Sequence, residues 1–284
     1  MAKIAGVVIL FNPGQEVLEN IKTYSRHISK LFIVDNSPKP ATISNSESLT
    51  GVKFEFIHDS KNQGIASRLN QVAKAAIDDG FDLLLTMDQD SYFEEPDIAA
   101  YMACSKNINW ERIAMAGINF GVQAPKEINC HTSVVTELIT SGSILNLRLF
   151  NIIGGFDENL FIDEVDHDYC YTAIEKGFEI VLFENIRLVH SLGNSSENLS
   201  LKSFKKTART LHSPIRIYFM TRNYFYVTQK HSGHFKVEMK NKKNALLNRI
   251  KNNLLYGNEP FLVLKYIIKG LIDFRKQKMG PLSK

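Results

Sequence analysis

The run Leu83 to Ser91, LLLTMDQDS, limits this chain more than any other stretch: an apolar segment stops at two carboxylates, Asp88 and Asp90, one residue apart. A short apolar run bounded by polar residues predicts a buried strand, and in open α/β sheets the ligand crevice lies at the carboxyl ends of the strands. Side chains two apart on an extended chain point the same way. Asp88 and Asp90 can therefore act together on a hard divalent cation that keeps free positions for phosphate oxygens. An isolated acidic turn capping a strand would read the same way, so the rest of the chain has to decide.

Ile4 to Phe11 is a β-branched run closed by Asn12-Pro13-Gly14, and Val17, Leu18, Ile21, Tyr24 and Ile28 then recur at helical spacing. Leu31 to Val34 predicts a second strand, ending in Asp35-Asn36-Ser37-Pro38, and Val52 to His58 a third. A helix from about Ile65 to Asp79 leads into the Leu83 strand. This order predicts an α/β fold with a largely parallel sheet, its polar loops gathered at the strand carboxyl ends. Those loops carry Asn12, Asp35-Asn36, Asp59 to Asn62, and Asp88 to Asp90. The first turn, FNPGQE, lacks GxGxxG, and no P-loop occurs, so a dinucleotide oxidoreductase loses its main support and phosphate must be held without a glycine cradle.

At 284 residues the chain suits one α/β domain with an appendage. Residues 230–284 carry 13 Lys/Arg against 3 Asp/Glu, while the rest carries 21 against 27, which predicts an acidic body and a basic tail drawn to an anionic surface. In the tail, Phe261, Leu264, Ile268, Leu271 and Ile272 recur at helical spacing, with Lys265, Lys269 and Asp273 on another face. Cys104, Cys130 and Cys170 form neither a CxxC pair nor an even set, so no disulfide or zinc site is expected and a reducing compartment fits. The start, MAKIAGVVILFNP, enters a strand with too short an apolar run for a signal peptide, and no stretch suffices for a spanning helix. The expected location is the cytoplasm.

The second half holds Thr140-Ser141-Gly142, GGFDE at 154–158, and FIDEVDHDYC at 161–170. On a helix starting near Asp163, Asp163 and Asp166 share a face and Asp168 lies elsewhere. Any one of these acids could be a helix-terminal charge, but Asp163, Glu164, Asp166 and Asp168 together exceed what capping needs. Gly177 ends that helix, Ile180 to Phe183 predicts a strand, and His190 follows an apolar run. A lone histidine there is usually a core group; beside an acidic pair it becomes a candidate ligand.

The series Asp35-Asn36-Ser37, Asn62-x-Gly64-x-Ala66-x-x-x-Asn70 and Asp88-x-Asp90 resembles, in order and spacing, the nucleotide-sugar half of glycosyltransferase family 2. GGFDE, the acid cluster and His190-Ser191-Leu192-Gly193 resemble its acceptor half, and Ser213 to Asn223, SPIRIYFMTRN, is similar to the segment that marks its rhamnosyltransferase branch. The resemblance implies a GT-A-type, Rossmann-like nucleotide-sugar sheet over residues 1–230, with residues 231–284 as a basic amphipathic helical extension. It implies that Phe11, Asn12, Asp35, Asn36, Asn62, Gly64 and Asp88 bind the donor, with Asp35 reading a pyrimidine base. Asp88, Asp90 and His190 would hold Mn²⁺ or Mg²⁺. Asp166 would be the catalytic base, with Gly142, Asp163 and Asp168 on the acceptor side. Val165 stands where many members have Glu and Thr172 where many have Arg, so the register of the acid cluster stays open and Asp163 and Asp168 remain rival bases. Arg216 and Arg222 are expected near a donor or acceptor phosphate, since guanidinium pairs with phosphate bidentately.

The implied activity is inverting, metal-dependent transfer of L-rhamnose from dTDP-rhamnose to a lipid-linked polysaccharide precursor, by an enzyme peripheral on the inner face of the cell membrane. Transfer of another hexose from a UDP-sugar is the alternative. A sugar-1-phosphate nucleotidyltransferase would need a glycine-rich basic loop where FNPGQE stands. A non-catalytic protein binding membranes or anionic surfaces is the alternative of another class, although it leaves the acids of the body without a purpose. No nucleic-acid partner is expected, since the tail shows no such motif; an oligomer is compatible with the sequence.

Overall fold

A computed structural model describes residues 2–41, 49, 51–120, 129–190, 195–199 and 206–282, with the side chains of 190 and 195–209 outside the description. The chain divides into two compact units, one of residues 1–158 and 165–191, the other of 159–164 and 192–284. The sequence-based boundary fell after residue 230. The helix that precedes that point groups instead with the two that follow, for reasons of packing given below.

The first unit opens with β1 (Ile4–Leu10), α1 (Val17–Ser25), β2 (Lys30–Asp35), β3 (Phe54–His58), α2 (Gly64–Asp78) and β4 (Leu83–Asp88). These are the elements that periodicity predicts, and β3-β2-β1-β4 pair in parallel. The strands are continuous apolar runs because helices cover both faces; β1 and β2 are buried almost throughout. Then come β5 (Ser91–Tyr92), α3 (Glu95–Asn107), β6 (Ile113–Phe120), β7 (Thr132–Val134), β8 (Ser143–Asn146), α4 (Leu147–Ile153), α5 (Val165–Glu175) and β9 (Glu179–His190). The sheet runs β3-β2-β1-β4-β8-β6-β9-β5, with β7 also on β9. It is mixed, not largely parallel as expected: β8 runs antiparallel to both β4 and β6, and β5 and β7 antiparallel to β9. The fold is a mixed α/β sheet with a helical C-terminal region.

α5 begins at Val165 and not near Asp163, because Phe161, Asp163 and Glu164 all have positive φ (59°, 65°, 65°), which no right-handed helix accepts. Cys104 and Cys130 form a disulfide with Cα atoms 5.3 Å apart, which corrects the expectation of three free thiols. Their separation of 26 residues carries no motif; the fold brings the end of α3 to the segment before β7. The support that cysteine spacing lent to a reducing compartment goes with it. Cys170 is buried and takes no part in that disulfide.

The second unit holds the hairpin β10 (Ser195–Leu199) and β11 (Lys206–Thr210), then α6 (Pro214–His231), α7 (Lys236–Tyr256) and α8 (Pro260–Arg275). α6 starts where sequence chemistry asks: the Ser213 side chain accepts from the Arg216 N–H, and Pro214 stands in the first turn. Ile217 and Met220 of α6 pack with Leu246 of α7 and Val263 of α8 in one small core. No helix among the described residues is long and apolar enough to cross a membrane.

Candidate active site

The carboxyl ends of β1, β2 and β4 are tied together through side chains that the acidic motifs leave between them. Gln89, the middle residue of Asp88-Gln89-Asp90, accepts from the Phe11 N–H at 2.8 Å and donates to the Phe11 carbonyl at 3.4 Å. Asn20 Nδ2 donates to the Gln89 carbonyl at 2.9 Å. The turn bearing both carboxylates is thus clasped to the end of β1, with Asp88 and Asp90 half-buried on it. The Asp88 N–H donates to Ser141 Oγ, whose hydroxyl donates to Ser91 Oγ at 2.8 Å. Tyr24, fully buried, has its phenol pushed far up by burial first and by the Asp88 charge second. β9 pairs so that His190 lies in register with Ser91, one position beyond Asp90. The predicted metal ligand His190 is therefore brought to this turn by its backbone; its side chain lies outside the described residues.

Among the described residues, no three His, Cys, Asp or Glu side chains converge as a complete metal cage. Two carboxylates on one strand-end turn nevertheless fit a hard cation that takes few protein ligands and completes its shell with phosphate and water.

Asp35 is fully buried at the end of β2. Its Oδ1 accepts from the Ser37 N–H at 3.0 Å and its Oδ2 from the Ala41 N–H at 2.7 Å, with His58 Nδ1 3.3 Å from Oδ2. The predicted base-reading carboxylate is thus engaged in shaping its own loop. Asn36 is likewise internal: its Nδ2 donates to Asn62 Oδ1, and its Oδ1 accepts from the Gln63 N–H and Arg68 Nε. Asn62 Oδ1 also takes the Gly64 N–H at 3.0 Å, and Gly64 enters α2 with φ 82°. Arg68, which the motifs passed over, is 1% exposed and braces this corner, donating to Asn36, Gln71 Oε1, Asp59 Oδ1 and the Lys61 carbonyl. The Arg68 hydrogen bond, foremost, holds the Asp59 carboxyl down at about 2. Phe11 and Asn12 remain exposed. A cavity of about 240 Å³ lies beside them, lined by Asn12, Gly14, Ser37, Lys39 and Pro40. A larger one of about 530 Å³, lined by Asp82, Asn146 and Arg148, opens at the amino ends of the strands, away from the carboxylate turn. The smaller is the better donor candidate, because open α/β sheets bind at the strand carboxyl ends.

Gly142 has φ 73°, and an added Cβ would stand 3.0 Å from Ile118 and Leu188 side chains, so it is required by packing. Asn70 clamps the GGFDE loop: its Oδ1 takes the Phe156 N–H at 2.8 Å while its Nδ2 gives to the Phe156 carbonyl and Glu158. In α5, Asp166 is partly exposed, with its Oδ1 3.6 Å from His167 Nδ1, and Asp168 is 2% exposed.

In the second unit the segment 159–164 is gripped by α6 and α7. Asn223 Nδ2 donates to the carbonyls of Leu160, Ile162 and Asp163 at 2.8, 2.6 and 3.0 Å. Arg216 pairs with Asp163 Oδ1 at 2.7 Å, and Lys242 with Glu164 at 2.8 Å. Burial raises the Asp163 carboxyl above its ordinary value, against the pull of Arg216. Arg222 is fully buried, with its Nη1 on the Tyr218 hydroxyl and on the Lys278 and Gly280 carbonyls, and its Nη2 on the Asn159 carbonyl. The fork expected near a donor or acceptor phosphate is thus engaged inside the unit. Arg216 stays surface-exposed but holds Asp163.

No protein-family model matches the chain. It is 24% identical over 248 residues to the dTDP-rhamnosyl transferase RfbF of Shigella flexneri, covering 81% of each. Its fold is similar to S. aureus TarS 1–349 in complex with UDP-GlcNAc (TM-score 0.57, 16% identity, 96% of this chain and 80% of that one). It is also similar to GalNAc-T7 with UDP, GalNAc and Mn²⁺ (TM-score 0.57, 12% identity, 98% and 56%). The chain spans about half the length, 49%, of a longer S. aureus TarS structure. The fold is that of GT-A glycosyltransferases, and the likeness to RfbF supports a glycosyltransferase.

Proposed function

We propose that this enzyme transfers L-rhamnose from dTDP-rhamnose, with inversion, to a lipid-linked precursor of a cell-surface polysaccharide at the inner face of the cell membrane. The observation that carries the donor assignment is the likeness to RfbF across 81% of both chains, joined to an acidic pair at the β4 end. Residues 1–230 form the catalytic domain in this reading and residues 231–284 its basic extension.

Asp88 and Asp90, with His190, would hold Mn²⁺ or Mg²⁺, which when bound offsets the negative charge that grows on the departing diphosphate. Gln89 keeps that turn against β1, so its carboxylates need not reorganise when donor arrives. Phe11 and Asn12 border the pyrimidine end of the donor, and Asp35, Asn36, Asn62 and Gly64 set the shape of that border. Asp166 takes the proton of the acceptor hydroxyl. In support, Asp163 is tied to Arg216 and Asp168 is buried, which leaves Asp166 the most accessible of the three.

TarS was solved with UDP-GlcNAc and GalNAc-T7 with UDP, which favours a second reading, transfer of another hexose from a UDP-sugar. Incubating the purified protein with dTDP-rhamnose, UDP-glucose, UDP-galactose and UDP-GlcNAc, with and without Mn²⁺ or Mg²⁺, separates the two. Metal-dependent hydrolysis and thermal protection by dTDP-rhamnose alone is expected. A response to a UDP-sugar and none to dTDP-rhamnose would replace the first reading by the second.

A further inference from the structure

The side of α8 that packs inward is its less apolar one. Val263 and Gly270 are buried there, and an added Cβ on Gly270 would stand 2.9 Å from the Tyr218 carbonyl. Asp273 is buried with them, its Oδ2 accepting from the Tyr218 hydroxyl and from Lys269 Nζ, each at 2.9 Å. The apolar residues at helical spacing face out instead: Phe261 is 88% exposed, Leu264 48%, Ile268 49% and Ile272 43%. These four fall on a single stripe, and exposed Lys265, Arg275 and Lys276 run along it and its border. Asp273, turned inward, is the only acid from Pro260 to Lys284.

We propose that this outward face of α8 docks on an anionic lipid bilayer. Phe261, Leu264, Ile268 and Ile272 enter the boundary between headgroups and acyl chains, while Lys265, Arg275 and Lys276 meet lipid phosphates. The proposal deepens, and rests on, the reading of a membrane-confined acceptor, and it names the surface that finds that acceptor in two dimensions. Charge decides between a bilayer and a second copy of the chain. A self-complementary contact would bring two like-charged basic borders together, whereas an anionic headgroup layer neutralises them. The helix lies on the bilayer without crossing it, in keeping with its length and charge.

Flotation of the full-length protein with vesicles of phosphatidylcholine, or of phosphatidylcholine mixed with phosphatidylglycerol, tests this at low and high salt. Binding to the mixed vesicles, weakened by salt and absent on pure phosphatidylcholine, is expected. The double variant Phe261→Ser, Ile268→Ser should lose at least ~10-fold in bound fraction, and Lys265→Gln with Lys276→Gln should erase the preference for phosphatidylglycerol. Both variants alter exposed side chains, so the thermal transition and donor hydrolysis in solution serve as controls. Full-length protein that stays unbound at low salt overturns the proposal, as does a dimer in solution that the Phe261/Ile268 variant dissociates while vesicles go unbound. Flotation with no hydrolysis of any nucleotide sugar would leave docking standing and remove the activity reading; hydrolysis without flotation would do the reverse.

Discussion

Asp163, Asp166 and Asp168 lie within six positions, yet each has a different surrounding, and a base for a sugar hydroxyl needs both a vacant oxygen and access. Asp163 is bound to Arg216 and Asp168 is buried, so Asp166→Asn is expected to lower kcat by ~10²–10⁴-fold while donor affinity, read by calorimetry, stays put. Asp163→Asn should lower kcat less than ~10-fold by loosening the Arg216 contact. If Asp163→Asn is the dead variant and Asp166→Asn turns over normally, the base has been misassigned. A second residue-scale effect concerns acid. Asp59 is depressed to about 2 from an ordinary 3.8, chiefly by Arg68, so folding favours its ionised form. That stabilisation is complete above 3.8 and fades as pH falls toward 2. Melting temperatures measured across this window should fall in the wild type more steeply than in Arg68→Lys, which lacks the fork. Equal slopes would show that the Asp59 pair contributes nothing to acid stability.

At the scale of elements, strands β1 to β4 and helices α1 and α2 were legible because each signals by its own period: buried parallel strands read as apolar runs, the helices as 3.6-residue stripes. α3 was not. Its apolar moment is close to nil, as Tyr101, Cys104 and Ser105 go inward along with Ile98 and Met102, so no stripe could be read. Arg68 and Gln89 were missed for a related reason: each looks like an ordinary polar residue until folding places its partners around it. Arg222 went the other way, because guanidinium chemistry suggests phosphate equally well when its acceptors turn out to be carbonyls of the same unit. The segment 159–164 also depends on contacts distant in sequence. Three non-glycine residues there hold positive φ, at roughly 1–3 kcal/mol each if unsupported, and Asn223 is the side chain that bonds three of the carbonyls. Asn223→Ala should destabilise the protein by about 2–4 kcal/mol, seen as a lower urea midpoint. An unchanged midpoint would mean that the segment holds its shape without α6. The disulfide is testable at the same scale. Closing a 26-residue separation corresponds to about 3.5 kcal/mol. Denatured protein should show one reactive thiol before reduction and three after; three before reduction would mean that Cys104 and Cys130 do not pair.

For the whole molecule, the feature that matters is that α6 shares its small core with the C-terminal helices. Charge asymmetry drew a boundary near residue 230 because composition changes there, but the core does not break at that point. Ile217 and Met220 lie against Leu246 and Val263, and Gly270 lets α8 approach the backbone of α6 closely. The polar groups lead the same way: Asp273 accepts from Tyr218, Tyr218 meets Arg222, and Arg222 donates to the carbonyls of Lys278 and Gly280. Removing α7 and α8 would expose two apolar side chains, worth about 1.5–3 kcal/mol each. It would also take the Lys278 and Gly280 carbonyls from a fully buried guanidinium, at about 1.5–3 kcal/mol for each hydrogen bond to a charged group. Sums of that size rival the entire stability of a small domain. A chain ending after Phe235 is therefore expected to lose the cooperative melting of the second unit and to bind a hydrophobic dye at temperatures where the full chain does not. A truncated protein with an unaltered melting curve and no dye binding would mean that α6 stands without the helices that cover it, and that composition had marked the true boundary.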